Sequence, residues 1–420
     1  MLDIDQLMEG RRGRRVAVIG AGAAGAMAAI FSATAGAETV LVERTRDGGR
    51  KILISGGGRC NVLPARLDET RFVTDSSPNT LRKIVRSWPL AEQIAFFEGE
   101  LGIPLVEEEE SAKLFPASHR ARDVRDGLLE HAASLGVSTR METTVTGLAP
   151  LDGGWRVSLA ESGPLDVDAV IVAAGGLSVP TTGSDGFGLR TLAALGHTIH
   201  PPYAALTPVL CEPALFGALS GVSLQVTLSA RGAGRIATAT GGFLFTHRGY
   251  SGPAVLDVSH VVARARAEQA TAALTVRWTR LDDEAWERLL RPQGARTALG
   301  ALRAELPDRL ASALLAQAKV DPARSLAELT REERRRIVET LGRGALPWTG
   351  DEGYKKAEVT GGGVSLAEID PRTMESRLHA GLYLCGELLD AFGPIGGYNF
   401  LWAWATGRAA GIAAGRAVGT

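Results

Sequence analysis

The chain has few of the residues that mark disulfide-rich, metal-binding or strongly charged proteins. Its 420 residues include only three cysteines, Cys60, Cys211 and Cys385, and no two of them form a C-x-x-C pair. A zinc ribbon and a dithiol redox centre are therefore not expected, and so few cysteines indicate a reducing compartment, the cytoplasm. The net charge of −1 gives no general attraction to nucleic acid or anionic lipid.

Long apolar runs are also scarce, and the one candidate for a membrane span has a better explanation. Residues 16–37 carry no charge and follow Arg11, Arg12, Arg14 and Arg15, as a spanning helix or a twin-arginine export signal would. However, three regularly spaced glycines, two flanking β-like runs and a closing acid fit neither kind of segment. We therefore expect no association with the membrane. The share of hydrophobic residues, 45%, is that of a globular protein.

What the chain does contain is a dinucleotide-binding pattern at residues 16–43. A short apolar run is followed by three glycines in G-x-G-x-x-G spacing, an alanine-rich helical stretch and a second apolar run closed by an acid. Gly20 allows a sharp turn, Gly22 lets the backbone approach a pyrophosphate, and Gly25 lets the helix pack close to the strand. The helix N-terminus offers N–H groups to phosphates, and Glu43 is placed to accept hydrogen bonds from ribose hydroxyls.

A glycine-rich cationic loop follows at residues 49–61, with the sequence GRKILISGGGRCN. Its three consecutive glycines lie beside Arg50, Lys51 and Arg59, so the loop can bring backbone N–H groups and positive charge to a pyrophosphate or a flavin ring. In isolation such a triplet is more often a surface turn with exposed basic residues. Its position directly after Glu43 favours ligand binding.

Two later segments have the pattern of further cofactor contacts. A buried-strand run at residues 169–176 ends in small residues that let the backbone pass close to a ligand. The segment GLYLCGE at 381–387 predicts a strand that ends at Gly386 and places Glu387 to accept hydrogen bonds from ribityl or ribose hydroxyls. GGYN at 396–399 predicts a helix N-terminus that can face the N1–C2=O edge of a flavin, or that simply packs on the sheet.

The nucleotide-binding fold is predicted to be split. Its last strand and helix come after a long insertion that is β-rich at 200–280 and helical at 281–346. We therefore expect an α/β domain made of residues 1–199 and 347–420, interrupted by an insert.

Together these motifs resemble the BaiN/RdsA family of flavoproteins, in the class with a glutathione-reductase-type FAD domain. The resemblance covers nearly the whole chain and is carried by GAGAAG, GRKILISGGGRCN, FLFTHRGYSGPAVLDVS at 243–259, VTGGGVSLAEIDPRTMES at 359–376, and GLYLCGELLD…GPIGGYN. It implies a Rossmann-like FAD-binding domain, with FAD rather than NAD as the cofactor. It also implies an insert with a β-barrel-like and a helical part. One departure is that the family's RCNVTN is RCNVLP here, with Leu63 and Pro64 in place of polar residues.

The resemblance and the motifs together predict the cofactor-binding residues, and no metal site. The predicted residues are Gly20, Gly22, Ala23, Ala24, Gly25, Glu43, Arg44, Arg50, Lys51, Ser55, Gly56, Gly57, Gly58, Arg59, Asn61, Val145, Ala174, Gly175, Gly176, Gly386, Glu387, Gly396, Gly397, Tyr398 and Asn399.

The resemblance also implies a reaction, the addition of a hydride from reduced flavin to an activated C=C bond. Family members act on enones of bile-acid-type steroids or on the uracil ring of ribosomal RNA. Candidates for positioning the alkene or delivering a proton are Tyr398 at the expected flavin edge, Cys60 in the glycine loop, and His247 and Tyr250 in the THRGYSGP segment. Each also has a structural interpretation, such as a packing residue, a small buried thiol or a hydrogen bond that fixes a loop.

Three functions remain compatible with the sequence. The first is an FAD-dependent reductase of an enone-type small molecule with NADH or NADPH as a transient donor. No separate NAD(P)H domain is predicted, because GAGRIA at 232–237 lacks the third glycine of the motif. The second is uridine reduction in ribosomal RNA, bound by basic residues of the insert gathered on one face: Arg264, Arg266, Arg291, Arg334, Arg335 and Arg336. The third is a non-catalytic flavin protein for electron transfer or redox sensing.

Overall fold

The structure is a computed structural model that describes residues 13–109, 111–213, 216–232, 234–291 and 296–416. Arg11 and Arg12 of the arginine-rich N-terminal segment, and Ala233 of the GAGRIA stretch, lie outside these ranges.

The strands are, in chain order, β1 Arg15–Ile19, β2 Glu38–Val42, β3 Leu63–Pro64, β4 Leu105–Glu108, β5 Lys113–Pro116, β6 Ser138–Arg140, β7 Val145–Leu151, β8 Gly154–Leu159, β9 Leu165–Val167, β10 Ala169–Val172, β11 Ile199–Ala205, β12 Val209–Leu210, β13 Ser223–Gly232, β14 Arg235–Phe245, β15 Gly249–Ser251, β16 Ala272–Arg277, β17 Gly344–Ala345, β18 Gly350–Asp351, β19 Val359–Val364 and β20 Leu382–Leu384. The helices are α1 Ala23–Thr34, α2 Arg50–Ile54, α3 Pro78–Val85, α4 Leu90–Ala95, α5 Ala121–Ser134, α6 Phe187–Ala194, α7 Pro253–Ala267, α8 Asp283–Leu289, α9 Ala298–Leu302, α10 Asp308–Gln317, α11 Arg331–Arg343 and α12 Tyr398–Gly415.

Residues 1–202 and 359–420, where described, form the first of two compact units. Its centre is a five-stranded sheet in the order β20-β10-β1-β2-β6, and every pair in it is parallel. Strand β10 is buried along its whole length, which explains its unbroken apolar run. The predicted Rossmann-like α/β fold is confirmed in this unit.

The uncharged run at residues 16–37 is the first strand–turn–helix of this sheet. It contains most of β1, the glycine turn and all of α1. Within the described ranges, no helix has the length and apolar character needed to cross a bilayer.

Helix α12 packs on α1 at backbone distance because glycines line its contact face. A Cβ added to Gly407 would lie 2.4 Å from the carbonyl oxygen of Ala24, and one added to Gly411 would lie 2.4 Å from that of Ala28. The next glycine on this face, Gly415, has the same relation to Ser32 at 2.5 Å. Residues four apart share one face of a helix, so this glycine row lets the two helices touch along three turns.

We expect Gly411→Ala to destabilise the first unit. The new methyl group must displace backbone, and overpacking of this kind costs about 1–3 kcal/mol, more than the ~1 kcal/mol that alanine gains over glycine in a helix. Urea unfolding measures the loss. The control is Gly99→Ala, where the added Cβ meets nothing within 4 Å; an equal effect of both substitutions would contradict the close-packing argument.

A buried histidine joins three segments of the same unit. His197 Nδ1 lies 2.9 Å from Glu368 Oε2, and its Nε2 lies 3.0 Å from Ser376 Oγ. Ser376 Oγ accepts the N–H groups of Leu378 and His379, so its own proton is donated to His197 Nε2. The imidazole is therefore neutral, with its Nδ1–H directed at Glu368. Burial lowers the pKa of His197, although Glu368 opposes this shift.

This arrangement predicts that acid weakens the fold in the histidine range. Because the pKa of His197 is lower in the folded than in the unfolded chain, its contribution to stability is present above about pH 6.5 and is lost as the pH falls. Urea unfolding at about pH 7.5 and about pH 5.5 measures the difference. His197→Gln should reduce it, and His119→Gln, at an exposed position, should not. An unchanged pH dependence in His197→Gln would contradict the prediction.

Residues 203–358, where described, form the second compact unit. Its seven-stranded sheet has the order β17-β16-β13-β14-β15-β12-β18, and helices α8 to α11 follow β16 in the chain. The strand order ends at β17 and β18, which pair with β16 and β12 and belong to one segment of the chain, residues 344–351. The barrel-like part expected of the insert stays a prediction. The unit begins and ends somewhat beyond the predicted borders at 200 and 346.

Candidate functional site

The carboxyl ends of four parallel strands bring the sequence motifs of the first unit to one edge of the sheet. Strands β1, β2, β10 and β20 end at Ile19, Val42, Val172 and Leu384. The residues that follow belong to the glycine turn, Glu43, the small-residue run at 173–176 and the segment that contains Glu387. In open α/β sheets this edge is where ligands bind.

The turn after β1 is built for close approach of backbone. Gly20 has φ +101° and donates its N–H to Val42 O at 2.8 Å. A Cβ on Gly25 would lie 1.7 Å from Gly20 O, so only glycine allows α1 to begin so close to the strand. Gly22 caps α1, which continues through Ala23 and Ala24; a Cβ on Gly22 would meet nothing within 4 Å, and the first turn holds no acid.

Glu43 is oriented by the backbone around it and is 8% exposed. Its Oε2 accepts the Ala21 N–H at 2.8 Å, and its Oε1 accepts the N–H and hydroxyl of Thr45 at 2.7 and 2.6 Å. Oε2 therefore keeps capacity for a further donor. Val145, the buried first residue of β7, lies two residues after Thr143, whose N–H is donated to Glu43 O.

All four of the predicted cofactor-binding cations are paired with acids, and Lys51 has Glu387 as its partner. Arg44 lies 2.6 Å from Asp185, and Arg50 lies 2.8 Å from Asp47. Arg59 lies 2.9 Å from Glu108, and its guanidinium lies 4.2 Å above the Phe115 ring. The acid partners lie outside the motif, so the sequence pattern did not reveal them.

The glycine loop is a tight turn held by its own ends. Gly56, Gly57 and Gly58 have φ +55°, +68° and +87°, and Ser55 O accepts the Cys60 N–H at 3.1 Å. Ser55 Oγ donates to Ile52 O at 2.8 Å. Trp404 of α12 holds the chain beyond the loop, donating its indole N–H to Val62 O at 3.0 Å.

Cys60 and Asn61 lie at the end of this loop. Cys60 is fully buried, and burial raises the pKa of its thiol to about 12, so the thiol is protonated at neutral pH. Such an environment does not favour a thiolate nucleophile. Asn61 Oδ1 is buried without a hydrogen-bond partner among the described residues, which is the kind of orphan acceptor that a ligand donor satisfies.

Glu387 is the centre of a side-chain network at the ends of β10 and β20. Its Oε1 accepts the hydroxyls of Ser178 at 2.5 Å and Thr360 at 2.9 Å, and its Oε2 lies 2.5 Å from Lys51 Nζ. Lys51 also donates to Ser178 Oγ at 2.6 Å. Thr360 was not predicted as a site residue, although it lies in the VTGGG motif.

The backbone segments on either side of this network, at Gly176 and Gly386, are also held in place. Gly176 follows Ala174 and Gly175 after β10, and a Cβ on Gly176 would lie 2.4 Å from Thr360 Oγ1. Gly386 donates its N–H to Thr406 Oγ1 at 3.0 Å and accepts the Trp402 indole N–H at 3.1 Å. Helix α12 therefore holds the peptide that precedes Glu387.

The N-terminus of α12 is capped by Gly397 and preceded by Gly396, with φ +89° and +108°. Asn399 closes the loop before it, because its amide both accepts from Gly393 N and donates to Gly393 O, at 2.9 and 3.0 Å. Tyr398 is 4% exposed, and its hydroxyl accepts the Asp68 N–H at 3.2 Å and donates to Arg66 O at 3.3 Å.

The other two proton-donor candidates belong to the second unit. His247 is exposed in the turn between β14 and β15. The hydroxyl of Thr246 accepts the N–H groups of Arg248 and Gly249 there, so Thr246 fixes this turn. Tyr250 is fully buried and donates its hydroxyl to Pro347 O at 3.0 Å.

Five of the six arginines named for RNA binding are already engaged inside the second unit. Arg264 is 7% exposed and lies over the Tyr203 ring, and Arg266 pairs with Asp351. Arg334, Arg335 and Arg336 each lie within 4.0 Å of a glutamate carboxylate. These residues therefore do not provide a surface of uncompensated positive charge.

The comparisons with known proteins agree on one family. The family model described as "HI0933-like protein Rossmann domain" matches residues 14–413. The chain is 31% identical over 399 residues to "Ribosomal RNA dihydrouridine synthase" of Escherichia coli, covering 93% of this chain and 95% of that protein. It is 30% identical over 408 residues to "3-dehydro-bile acid delta(4,6)-reductase" of Clostridium scindens, covering 95% and 98%.

One solved structure shows the same fold. It is the 3-ketosteroid delta1-dehydrogenase of Sterolibacterium denitrificans in complex with 1,4-androstadiene-3,17-dione, with a TM-score of 0.53 and 13% identity over 95% of this chain and 99% of that one.

We expect Tyr398→Phe to lower stability, because it leaves the Asp68 N–H and the Arg66 carbonyl unpaired. The loss of one such hydrogen-bonding group is worth about 1–2 kcal/mol, measured as the free energy of urea unfolding. Unchanged stability would contradict a structural role for this hydroxyl and would favour its role as a proton donor.

Proposed function

The chain belongs to the HI0933-like family of Rossmann-domain proteins and is an FAD-dependent oxidoreductase. From this premise we propose that it reduces an activated C=C bond in an enone-type small molecule. The family resemblance drawn from its motifs is thereby confirmed. One relative is named as a delta(4,6)-reductase of a bile acid and another as a dihydrouridine synthase. Both names describe saturation of a C=C bond conjugated to a carbonyl, and this shared chemistry supports the proposal.

The residues at the carboxyl edge of the sheet fit FAD. Gly22 leaves open space at the N-terminus of α1, where backbone N–H groups and the helix dipole favour a pyrophosphate. Asn61 Oδ1 is a buried acceptor that lacks a donor within the described residues. When bound and reduced by NADH or NADPH, the cofactor would supply the hydride for the C=C bond.

Each part of the cofactor has residues suited to it. Glu43 is placed to accept a ribose hydroxyl, and the backbone of residues 22–25 to bind the pyrophosphate. Lys51 and Glu387 offer a donor and an acceptor side by side for the ribityl chain. The glycine loop at 56–58 and the N-terminus of α12 at Gly397 are suited to the flavin ring, since an N-terminal helix dipole stabilises negative charge.

The charge pattern of the second unit supports a small-molecule substrate over RNA. Binding of nucleic acid depends on lysines and arginines that neutralise phosphates. Arg266, Arg334, Arg335 and Arg336 instead face carboxylates within the unit, and those carboxylates would repel a phosphate backbone.

Reduction of uridine in ribosomal RNA is the second candidate. It is supported by the synthase of Escherichia coli, which is 31% identical over 93% of this chain. NADH or NADPH is proposed as the electron donor in both cases, bound transiently.

The test is an anaerobic titration of the FAD-loaded protein with NADH or NADPH, followed by substrate. We expect bleaching of the oxidised flavin absorbance and its return on adding a steroid enone, with one C=C bond reduced per flavin. Unmodified ribosomal RNA is added in a parallel sample and analysed for dihydrouridine. Reoxidation by RNA alone would overturn the small-molecule proposal in favour of the second candidate.

The control is free reduced FAD with the same substrates, which measures uncatalysed reaction. If neither nicotinamide reduces the bound flavin, the proposed donor is wrong. If the reduced protein leaves both enone and RNA unchanged, the proposed C=C reduction is wrong.

A further inference from the structure

We propose that Thr360 is a positioning residue for FAD, holding Glu387 so that one carboxylate oxygen stays open to the cofactor beside the Lys51 ammonium. The inference rests on the proposed FAD site and adds to it a residue whose side chain need not touch the cofactor.

Thr360 makes hydrogen bonds to three other residues of the network. It is fully buried. Its hydroxyl accepts the N–H groups of Leu177 at 2.7 Å and Ser178 at 3.1 Å, and donates to Glu387 Oε1 at 2.9 Å. Its own N–H is donated to the same oxygen at 3.0 Å. One hydroxyl thus connects the chain after β10 to the chain after β20, with its donor and both acceptor sites in use.

The two oxygens of Glu387 are unequally occupied. Oε1 accepts from the Ser178 hydroxyl, the Thr360 hydroxyl and the Thr360 N–H, so it has no capacity left. The Lys51 ammonium, at 2.5 Å, is the one donor to Oε2 within the described residues. Oε2 can therefore accept a further hydroxyl, and its orientation is set by Thr360.

Lys51 has an N–H group available for a ligand. Its ammonium carries three N–H groups, and the described contacts use two of them, on Glu387 and on Ser178. The third N–H and the open side of Oε2 form a donor–acceptor pair, which suits the hydroxyls and phosphate of a ribityl phosphate. The side chains of Lys51 and Glu387 are 24% and 18% exposed, so the network opens to solvent on this side while Thr360 and Ser178 close the other.

The network also explains why residue 176 is glycine. An added Cβ would lie 2.4 Å from Thr360 Oγ1 and 2.9 Å from Glu387 Oε1. Contacts this short would push Thr360 away from Glu387. The glycine is therefore required by the hydrogen-bond network itself, whether or not the cofactor touches this peptide.

The test compares Thr360→Val with Thr360→Ser by titrating FAD into apoprotein and following flavin fluorescence. Valine keeps the shape but loses the hydroxyl and leaves two N–H groups unpaired. We expect it to raise the FAD dissociation constant about 10- to 100-fold, and serine to stay within about threefold of the wild type. Thr39→Val is the matched control, since Thr39 is also a buried strand residue, on β2, and its hydroxyl donates to Ser32 Oγ.

Thermal unfolding of the apoproteins separates positioning from general stability. Thr39→Val should lower the melting temperature without changing FAD affinity. If Thr360→Val lowers the melting temperature but binds FAD like the wild type, the inference is overturned. Failure of the wild type itself to bind FAD would instead refute the proposed function.

A second pair of variants tests the network if Thr360→Val does not fold. Lys51→Gln removes the cation beside Glu387 and should weaken FAD binding about tenfold, whereas Lys51→Arg should retain most of the affinity. The midpoint potential of bound FAD should fall in Lys51→Gln and rise in Glu387→Gln, because reduction adds negative charge. Unchanged affinity and potential in both neutral variants would overturn the inference.

Discussion

The candidate site depends on the contact between the first helix of the chain and the last. Gly407, Gly411 and Gly415 let α12 lie directly on the carbonyl groups of α1, although more than 360 residues separate the two helices in the sequence. The same helix α12 holds the Gly386 peptide through Trp402 and Thr406. The position of Glu387 therefore depends on the packing of α12 against α1. The two helices can approach this closely because one face of α12 carries glycines instead of larger residues.

A consequence is that the N-terminal βαβ unit cannot complete the site alone. It supplies the turn at Gly20 and the acid at Glu43, and both are positioned within its own backbone. Thr360 and Glu387 reach the same sheet edge only after the chain has returned through β19 and β20. Cofactor binding should therefore be coupled to folding of the whole first unit, because its two halves must come together before Oε2 of Glu387 is in place.

The elements that could be predicted from the sequence are those specified by local pattern. The G-x-G-x-x-G turn and the buried run of β10 each need only neighbouring residues, since turn geometry and hydrophobic periodicity are local properties. Thr360 could not be identified in this way, because its role depends on N–H groups and a carboxylate from two distant segments. The same reason hid Asp185 and Glu108, the distant partners of Arg44 and Arg59. The strand order of the sheet in the second unit is likewise not specified by local pattern.

The pairing of arginines changes how the site must attract a dinucleotide. Arg44, Arg50 and Arg59 have carboxylates within 2.9 Å, and Lys51 shares its charge with Glu387. A diphosphate therefore meets little uncompensated side-chain charge at this edge. The remaining attraction comes from the backbone N–H groups of the glycine turn and the dipole of α1, which act at short range and with fixed direction. A site built this way discriminates by the placement of phosphate oxygens rather than by total charge, which suits a dinucleotide cofactor and not a polyanion.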